Sequence, residues 1–92
     1  MKVALTERFL HDVRGLAAER RAAVFEAILV LPIAVGEPHR HAGLGLRKLH
    51  ASGIWEARVG LGLRLVLALQ PGLVTLVRVG THEDVRRYLQ KL

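Results

Sequence analysis

The chain has 92 residues, no cysteine and a formal net charge of +6, from 14 Lys and Arg against 8 Asp and Glu. This length predicts one domain, residues 1–92, with a single modest core. The lack of cysteine excludes a disulfide framework and a thiolate zinc site, and favours a cytoplasmic protein. The charge favours polyanionic or acidic partners, although Arg-rich usage also arises from high genomic GC content. Charged residues and a proline interrupt every apolar run, so no membrane span is expected.

The first third of the chain has the pattern of a strand followed by two helices. Residues Lys2–Leu5 are predicted to form a short strand, and Thr6 is a suitable N-cap for the helix that follows. The run Ala17–Leu31 has apolar residues at helical spacing, and Pro32 is expected to end this second helix. Residues 33–45 are expected to form a connecting loop, because this stretch is rich in glycine and turn-forming residues.

The second half of the chain has the pattern of three strands and a final helix. Apolar and polar residues alternate in Ile54–Val59 and in Leu63–Leu69, and Leu73–Val79 follows a Pro-Gly turn. Thr81 is predicted to start a helix that runs to the last residue. The sequence therefore predicts an α+β fold in the order β-α-α-β-β-β-α, with a helical hairpin packed on a small, mostly antiparallel sheet.

Two segments resemble the RelE/ParE superfamily of toxins from type II toxin–antitoxin systems. They are IWEARVGLGLRLVL, residues 54–67, and VRVGTHEDVRRY, residues 77–88. The first is similar to the family's central hairpin, with Leu63-Arg64 in place of Tyr-Arg, and the second to its closing strand and terminal helix. The resemblance implies a toxin that cleaves messenger RNA on the ribosome. The alternatives that it leaves open are a ParE-like inhibitor of DNA gyrase or a degenerate toxin that only binds a partner.

The resemblance also implies four candidate catalytic residues. Arg64 matches the family's phosphate-binding arginine, or else is an exposed arginine between core leucines. His82 lies where members carry an arginine or histidine that can transfer a proton, or else it flanks the last helix. Tyr88 is similar to the terminal aromatic, although alignment on the His-Glu-Asp-Val segment puts that position at Arg86. Glu56 is a candidate carboxylate, or else an ordinary ion-pair partner.

The predicted RNA-binding residues are basic side chains before and within the first hairpin strand. They are Arg40, Arg47, Lys48 and Arg58. A RelE-like ribonuclease carries a lysine pair on this strand, and the corresponding positions here hold Trp55 and Ala57. Trp55 is expected to pack in the core. This departure from the family pattern weakens the ribonuclease interpretation and favours the binding alternatives, a gyrase inhibitor or a degenerate toxin.

No cofactor is expected, and the reaction that the resemblance implies needs no metal. His39, His41 and His50 are too weak a set for a metal site, since no carboxylate or cysteine accompanies them at fixed spacing. The expected partners are an acidic antitoxin together with the ribosome and its messenger RNA, or alternatively DNA gyrase. No membrane partner is expected.

Overall fold

The structure is a computed structural model that describes residues 1–36, 44–60 and 62–92. Five strands and three helices are formed in these ranges. They are β1 (Lys2–Leu5), α1 (Glu7–Arg14), α2 (Ala18–Gly36), β2 (Arg47–His50), β3 (Ile54–Val59), β4 (Leu63–Gln70), β5 (Leu73–Gly80) and α3 (His82–Gln90). The α+β class is as predicted. None of the helices in these ranges is long and apolar enough to cross a membrane.

The five strands form one sheet in the order β1-β5-β4-β3-β2. The four strands from β2 to β5 pair antiparallel with their neighbours in the chain, whereas β1 pairs parallel with β5. A parallel pair cannot be joined by a tight turn, so the chain between β1 and the meander must cross over the sheet. The hairpin of α1 and α2 begins this crossover, which places it on one face of the sheet.

Side chains on the middle strands alternate between the hairpin face and the opposite face. Leu63, Leu65 and Leu67 point to the hairpin and are at most 4% exposed. They join Phe9 from α1 and Leu31 from α2 in the main core cluster. Because alternate residues of a strand share a face, Arg64 and Val66 lie on the other side of β4. The predicted central position of β3, β4 and β5 is confirmed.

The second helix is longer than the sequence pattern predicted. Pro32 was expected to end it, yet α2 continues to Gly36 with the proline inside it. Proline removes one backbone hydrogen bond but its φ is compatible with a helix. Leu31 and Ala34, on either side of the proline, are fully buried and hold the chain in place. Of the loop expected at residues 33–45, the first part is therefore helix, and residues 37–43 lie outside the described ranges.

A fifth strand was not predicted. Arg47–His50 forms β2 on the edge of the sheet, where it pairs with β3 through Arg47 and Glu56 and through Lys48 and Trp55. The register shifts after Lys48, which marks an irregularity. Three of its four residues are charged or histidine, so composition did not reveal it. Basic residues are common on edge strands because they discourage pairing with a further chain.

Truncation of a central leucine tests this register. Leu65→Ala is expected to lower the free energy of unfolding by about 2–5 kcal/mol, because the fully buried side chain leaves a cavity between strand and helices. The measurement is urea unfolding of both proteins. Leu69→Ala is the matched control, since Leu69 is on the same face of β4 but only half-buried, and its cost should be clearly smaller. Equal stability of wild type and Leu65→Ala would contradict the register.

Candidate nucleic-acid interface

Three arginines and one glutamate gather on the face of the sheet away from the hairpin. In the sheet register Arg47 lies opposite Glu56, and Arg58 lies opposite Arg64. The four side chains line one depression together with Gly45 and Leu46 of the preceding segment. Three of the predicted RNA-contacting or catalytic arginines thus meet at the same place. We call these four residues, Arg47, Glu56, Arg58 and Arg64, the arginine cluster.

Glu56 is the buried centre of the arginine cluster. Its side chain is 2% exposed, and its Oε1 atom accepts a hydrogen bond from Arg64 Nη1 at 3.2 Å and forms an ion pair with Arg47 Nη2 at 2.9 Å. A buried carboxylate is costly unless it is paired, and two guanidinium groups supply that pairing. Oε2 is also buried and has no hydrogen-bond partner in the described part of the chain. Glu56 therefore fixes the two arginines relative to each other.

Arg64 keeps part of its guanidinium accessible. Its side chain is 28% exposed although one nitrogen is bound to Glu56. A guanidinium carries five N–H groups in a planar fork, so those not bound to the carboxylate can bind a phosphate. A deeply buried arginine would bind only its partner. The exposure of Arg64 is what makes the arginine cluster a candidate anion-binding site.

Arg58 is brought close to the segment before β2 by a glycine. Gly45 has a φ of +55°, in the left-handed region that favours glycine. A Cβ atom at this position would collide with the guanidinium group of Arg58. The absence of a side chain at Gly45 therefore allows Arg58 to lie across this segment and to line the depression next to Arg64.

The positions of the expected lysine pair on β3 do not face the arginine cluster. Trp55 and Ala57 point to the hairpin side, where Ala57 is fully buried and Trp55 packs against the core. The predicted core role of Trp55 is confirmed. On this strand the residues that share a face with Arg64 are Glu56 and Arg58. The face of β3 that carries the arginine cluster thus presents one acid and one base, and the two positions expected for lysines lie on the opposite face.

His82 lies near the arginine cluster along the sheet register. Arg64 is opposite Gly80, the last residue of β5, and His82 begins α3 two residues later. Thr81 caps this helix: its side chain accepts from the Asp84 backbone N–H, and the Asp84 side chain accepts from the Thr81 N–H at 2.9 Å. His82 itself is exposed. The capping box fixes the start of the helix that carries this histidine.

The backbone turn into α3 depends on a close approach between Gly80 and Asp84. A Cβ atom on Gly80 would lie 2.7 Å from Asp84 Oδ2. Since Gly80 is paired with Arg64, its missing side chain would point to the same face. The first turn of α3 therefore crosses the sheet on the side of the arginine cluster, opposite the helical hairpin.

The capping box predicts a pH dependence of stability. Hydrogen bonds from the backbone and side chain of Thr81, together with Arg87, hold the pKa of Asp84 below its usual value of about 3.9. A depressed folded-state pKa contributes stability above the unfolded value, and this contribution is lost as the pH falls through the folded value. Thermal unfolding between pH 5 and pH 2.5 should show a steeper loss in wild type than in Asp84→Asn. Parallel profiles would contradict this role.

Tyr88 belongs to a neighbouring depression and not to the arginine cluster. It is half-buried on α3, in a depression where four cations surround it. The lining residues are Arg8, Arg78, Asp84, Arg87, Tyr88 and Lys91. The structure thus places Tyr88 beside cations that were not among the predicted site residues.

Asp12 and Arg78 form an ion pair that the sequence did not suggest. Asp12 Oδ2 accepts from Arg78 Nε at 2.7 Å and from the Val79 backbone N–H at 3.1 Å. The parallel pairing of β1 with β5 ends at Leu76, so the edge of β5 beyond it is free for this contact. The two residues are 66 positions apart. A short amphipathic helix with two acids, Glu7 and Asp12, gives no sign of such a partner.

The remaining predicted residues lie elsewhere or outside the described ranges. Lys48 follows Arg47 on β2 and pairs with Trp55, so it points to the opposite face from the arginine cluster. Arg40, predicted to bind RNA, lies outside the described ranges, as do His39 and His41. His50 Nδ1 lies 2.7 Å from the Ser52 hydroxyl, in the turn after β2.

Comparisons with known proteins agree with the fold. No family model and no curated protein matches the sequence. Among solved structures, the chain is similar to YafQ from E. coli at 21% identity, covering 91% of this chain and 96% of that one with a TM-score of 0.67. It is similar to the toxin–antitoxin complex RelBE2 from Mycobacterium tuberculosis at 25% identity, covering 87% and 95% with a TM-score of 0.64.

A third similar structure is the intact E. coli RelBE toxin–antitoxin complex, at 20% identity, 86% and 93% coverage and a TM-score of 0.61. The sheet order, the helical hairpin and the capped last helix define a small α+β domain with a basic face. This domain has the fold of the RelE/YafQ-type toxins of type II toxin–antitoxin systems, as the two sequence segments predicted.

Proposed function

We propose that the chain is the toxin of a type II toxin–antitoxin system and acts in the cytoplasm as a ribosome-dependent endoribonuclease on messenger RNA. The observation that carries the proposal is the buried Glu56, which holds Arg47 and Arg64 together. They lie on the face of the sheet away from the helical hairpin, here called the open face. Two guanidinium groups at a fixed spacing are suited to a phosphate that gains charge during a reaction.

The proposed reaction is attack by a ribose 2′-hydroxyl on the adjacent phosphorus. A bond forms between the 2′ oxygen and phosphorus, and the bond from phosphorus to the 5′ oxygen breaks. The products are a 2′,3′-cyclic phosphate and a 5′-hydroxyl end. His82, exposed at the start of α3, removes the proton from the 2′-hydroxyl or delivers one to the leaving 5′ oxygen, and a solvent water carries out the other of these two proton transfers. Arg64 stabilises the charge on the phosphate oxygens.

Glu56 acts in this proposal through the arginines and not by touching the RNA. Both of its carboxylate oxygens are buried, and one of them is bound to two guanidinium groups. Arg58, on the rim of the same depression, extends the cationic surface along the RNA backbone. Tyr88 lies among Arg8, Arg78 and Lys91, which suits stacking on a neighbouring base. Lys48 is proposed to contact RNA outside this depression, and Arg40, which lies outside the described ranges, remains a proposed RNA contact.

A ParE-like gyrase inhibitor is the second candidate function. The observation that favours it is that the two β3 positions expected for lysines hold Trp55 and Ala57, which face the core and offer no cation to RNA. Under this proposal the arginine cluster binds an acidic surface of its target and transfers no proton. A catalytically degenerate toxin that only binds its partner would have the same cluster.

The proposed protein partner is an acidic antitoxin. Two of the similar structures are toxin–antitoxin complexes, and a net charge of +6 favours an acidic partner here. Induced expression of this chain, with separate readouts of protein synthesis and plasmid supercoiling, distinguishes the candidates. The ribonuclease proposal requires that protein synthesis stops first while supercoiling persists. Early loss of supercoiling supports the gyrase alternative, and unimpaired growth supports a degenerate toxin.

A further inference from the structure

The last residues of β5 extend beyond the strand that pairs with them on the outer side. β1 pairs with β5 only as far as Leu5 and Leu76, whereas β5 continues to Gly80. In the described part of the chain no strand lies beside β5 on that side after Leu76. Backbone N–H and C=O groups on such an edge need other partners. The edge of residues 77–80 therefore depends on side chains or on water.

Two side chains of the α1 segment supply partners to this edge. Thr6, the N-cap of α1, donates from its hydroxyl to the carbonyl oxygen of Val77 at 3.1 Å. Asp12, near the other end of α1, accepts from the backbone N–H of Val79 at 3.1 Å through Oδ2. The hydroxyl and the carboxylate thus take the place that a longer β1 would have beside β5.

A β-bulge makes the end of β5 dependent on these two contacts. In the pairing of β4 with β5, Leu67 is opposite Leu76 and Val66 is opposite Arg78. Val77 is therefore an extra residue on β5. An extra residue interrupts the ladder of hydrogen bonds and bends the strand. The hydroxyl contact lies at the bulged residue and the carboxylate contact lies two residues beyond it, so together they fix the direction in which β5 continues.

The segment after the bulge leads directly to the proposed site. Gly80 pairs with Arg64, and His82 begins α3 two residues after Gly80. Val79, which Asp12 holds, precedes Gly80 by one residue. A displacement of this backbone would move His82, whereas Arg64 is carried by a different strand. The distance between the proposed proton-transfer group and the proposed phosphate-binding group therefore depends on where β5 ends.

Asp12 is itself held firmly. Its side chain is 10% exposed, and the guanidinium group of Arg78 binds both of its oxygens. The distances are 2.7 Å from Nε to Oδ2 and 3.4 Å from Nη2 to Oδ1. A carboxylate bound by a planar guanidinium at both oxygens has a fixed orientation. The backbone N–H of Val79 is thus held by an acceptor that cannot rotate freely.

We propose that Asp12 is a positioning residue for the reaction, and that its hydrogen bond to Val79 sets the position of His82 relative to Arg64. This role rests on the proposed function, since it concerns the same site. Asp12 acts through the backbone of β5. A misplacement of about 1 Å can cost on the order of 10²-fold in rate, so a small shift of this backbone is enough to matter.

The first test is single-turnover cleavage of messenger RNA on purified ribosomes. Asp12→Ala is expected to lower the maximal rate roughly 10–100-fold, with an unchanged protein concentration at half-maximal rate. Asp12→Asn keeps an oxygen that can accept from Val79 but loses the charge that pairs with Arg78, and should recover most of the rate. Glu7→Ala is the matched control, because it removes an exposed acid from the same helix and should cleave like wild type.

A double-mutant cycle separates positioning from a general loss of folded protein. If Asp12 acts through His82, adding Asp12→Ala to His82→Gln should lower the remaining rate less than about twofold. A purely structural defect would lower both rates by the same factor.

Amide hydrogen exchange tests the hydrogen bond without any reference to activity. The Val79 amide should exchange at least about tenfold faster in Asp12→Ala than in wild type, because it loses its acceptor. The Leu65 amide, on the central strand β4, is the internal control and should be unchanged. A Val79 amide that is unprotected in wild type overturns the proposal whether or not the variant folds.

Each outcome of the cleavage experiments decides the proposal. A lower rate in Asp12→Ala, recovered in Asp12→Asn and absent from the His82→Gln background, supports it. A wild-type rate in Asp12→Ala, or an equal loss in both backgrounds, overturns the positioning role but leaves the toxin assignment intact. A rate in Asp12→Asn as low as in Asp12→Ala overturns it in favour of the ion pair with Arg78. Failure of the wild-type chain to cleave overturns the proposed function and this role with it.

Discussion

Arg64→Ala is expected to lower the rate of messenger RNA cleavage roughly 10²–10³-fold, the usual effect of removing one group that stabilises transition-state charge. The side chain is held by Glu56 and remains partly exposed on the open face of the sheet. Its loss removes the guanidinium that is proposed to stabilise the charge on the phosphate. Single-turnover cleavage on purified ribosomes measures the effect, because it reports the chemical step without product release.

Two further variants test whether Arg64 acts through its positive charge alone or also through the shape and fixed position of its guanidinium group. Arg64→Lys should recover only part of the rate, since an ammonium group lacks the planar fork that binds two oxygens at once. Glu56→Gln keeps the shape of the carboxylate but removes its charge, so it should loosen both arginines and lower the rate less than Arg64→Ala does. Full activity of Arg64→Ala would contradict the proposed site, provided that its unfolding curve matches wild type.

His82→Gln is expected to lower the cleavage rate roughly 10²–10⁴-fold if His82 transfers a proton. Glutamine retains a hydrogen-bonding side chain of similar reach but does not titrate. The pH–rate profile should therefore lose one limb, an effect that a helix-capping role would not produce. The measurement is the rate of cleavage across pH 5.5 to 9 for both proteins.

His50→Gln is the control for this experiment. His50 is an exposed histidine at the end of β2, and its ring contacts Ser52 in the turn that follows. Its replacement should leave both the rate and the shape of the profile unchanged. If His82→Gln cleaves at the wild-type rate with an unaltered profile, proton transfer by His82 is excluded and the histidine only flanks the last helix.

Strands β3, β4 and β5 were predictable because the alternation of apolar and polar residues in their sequences matches the alternation of buried and exposed faces in the sheet. Leu63, Leu65 and Leu67 alternate with residues of the open face, and each ends up in the core. The end of α2 was not predictable from the chain alone. A proline after Leu31 normally ends a helix, but tertiary packing of Ala34 overrides that local preference. The edge strand β2 was missed because basic residues give no strand pattern.

The candidate site was predictable in its residues but not in its connections. Arg64, Arg47 and Glu56 were each identified, yet the sharing of one carboxylate by two arginines depends on the register between β2, β3 and β4. Because β2 was not predicted, the spacing of residues in the sequence could not show which β2 residue lies opposite Glu56. The same holds for Asp12 and Arg78, whose contact exists because β1 ends short of the full length of β5. The position of Tyr88 beside basic side chains likewise follows from the path of α3 along the sheet.

The most direct test of the central claim is cleavage of a messenger in the ribosomal A site, mapped by primer extension with purified wild-type protein. The proposal predicts discrete cleavage that requires the ribosome, ends in a 2′,3′-cyclic phosphate and is lost in Arg64→Ala. Intact messenger at stoichiometric protein, together with trapped gyrase–DNA complexes in a parallel supercoiling assay, would contradict the ribonuclease and establish the gyrase alternative.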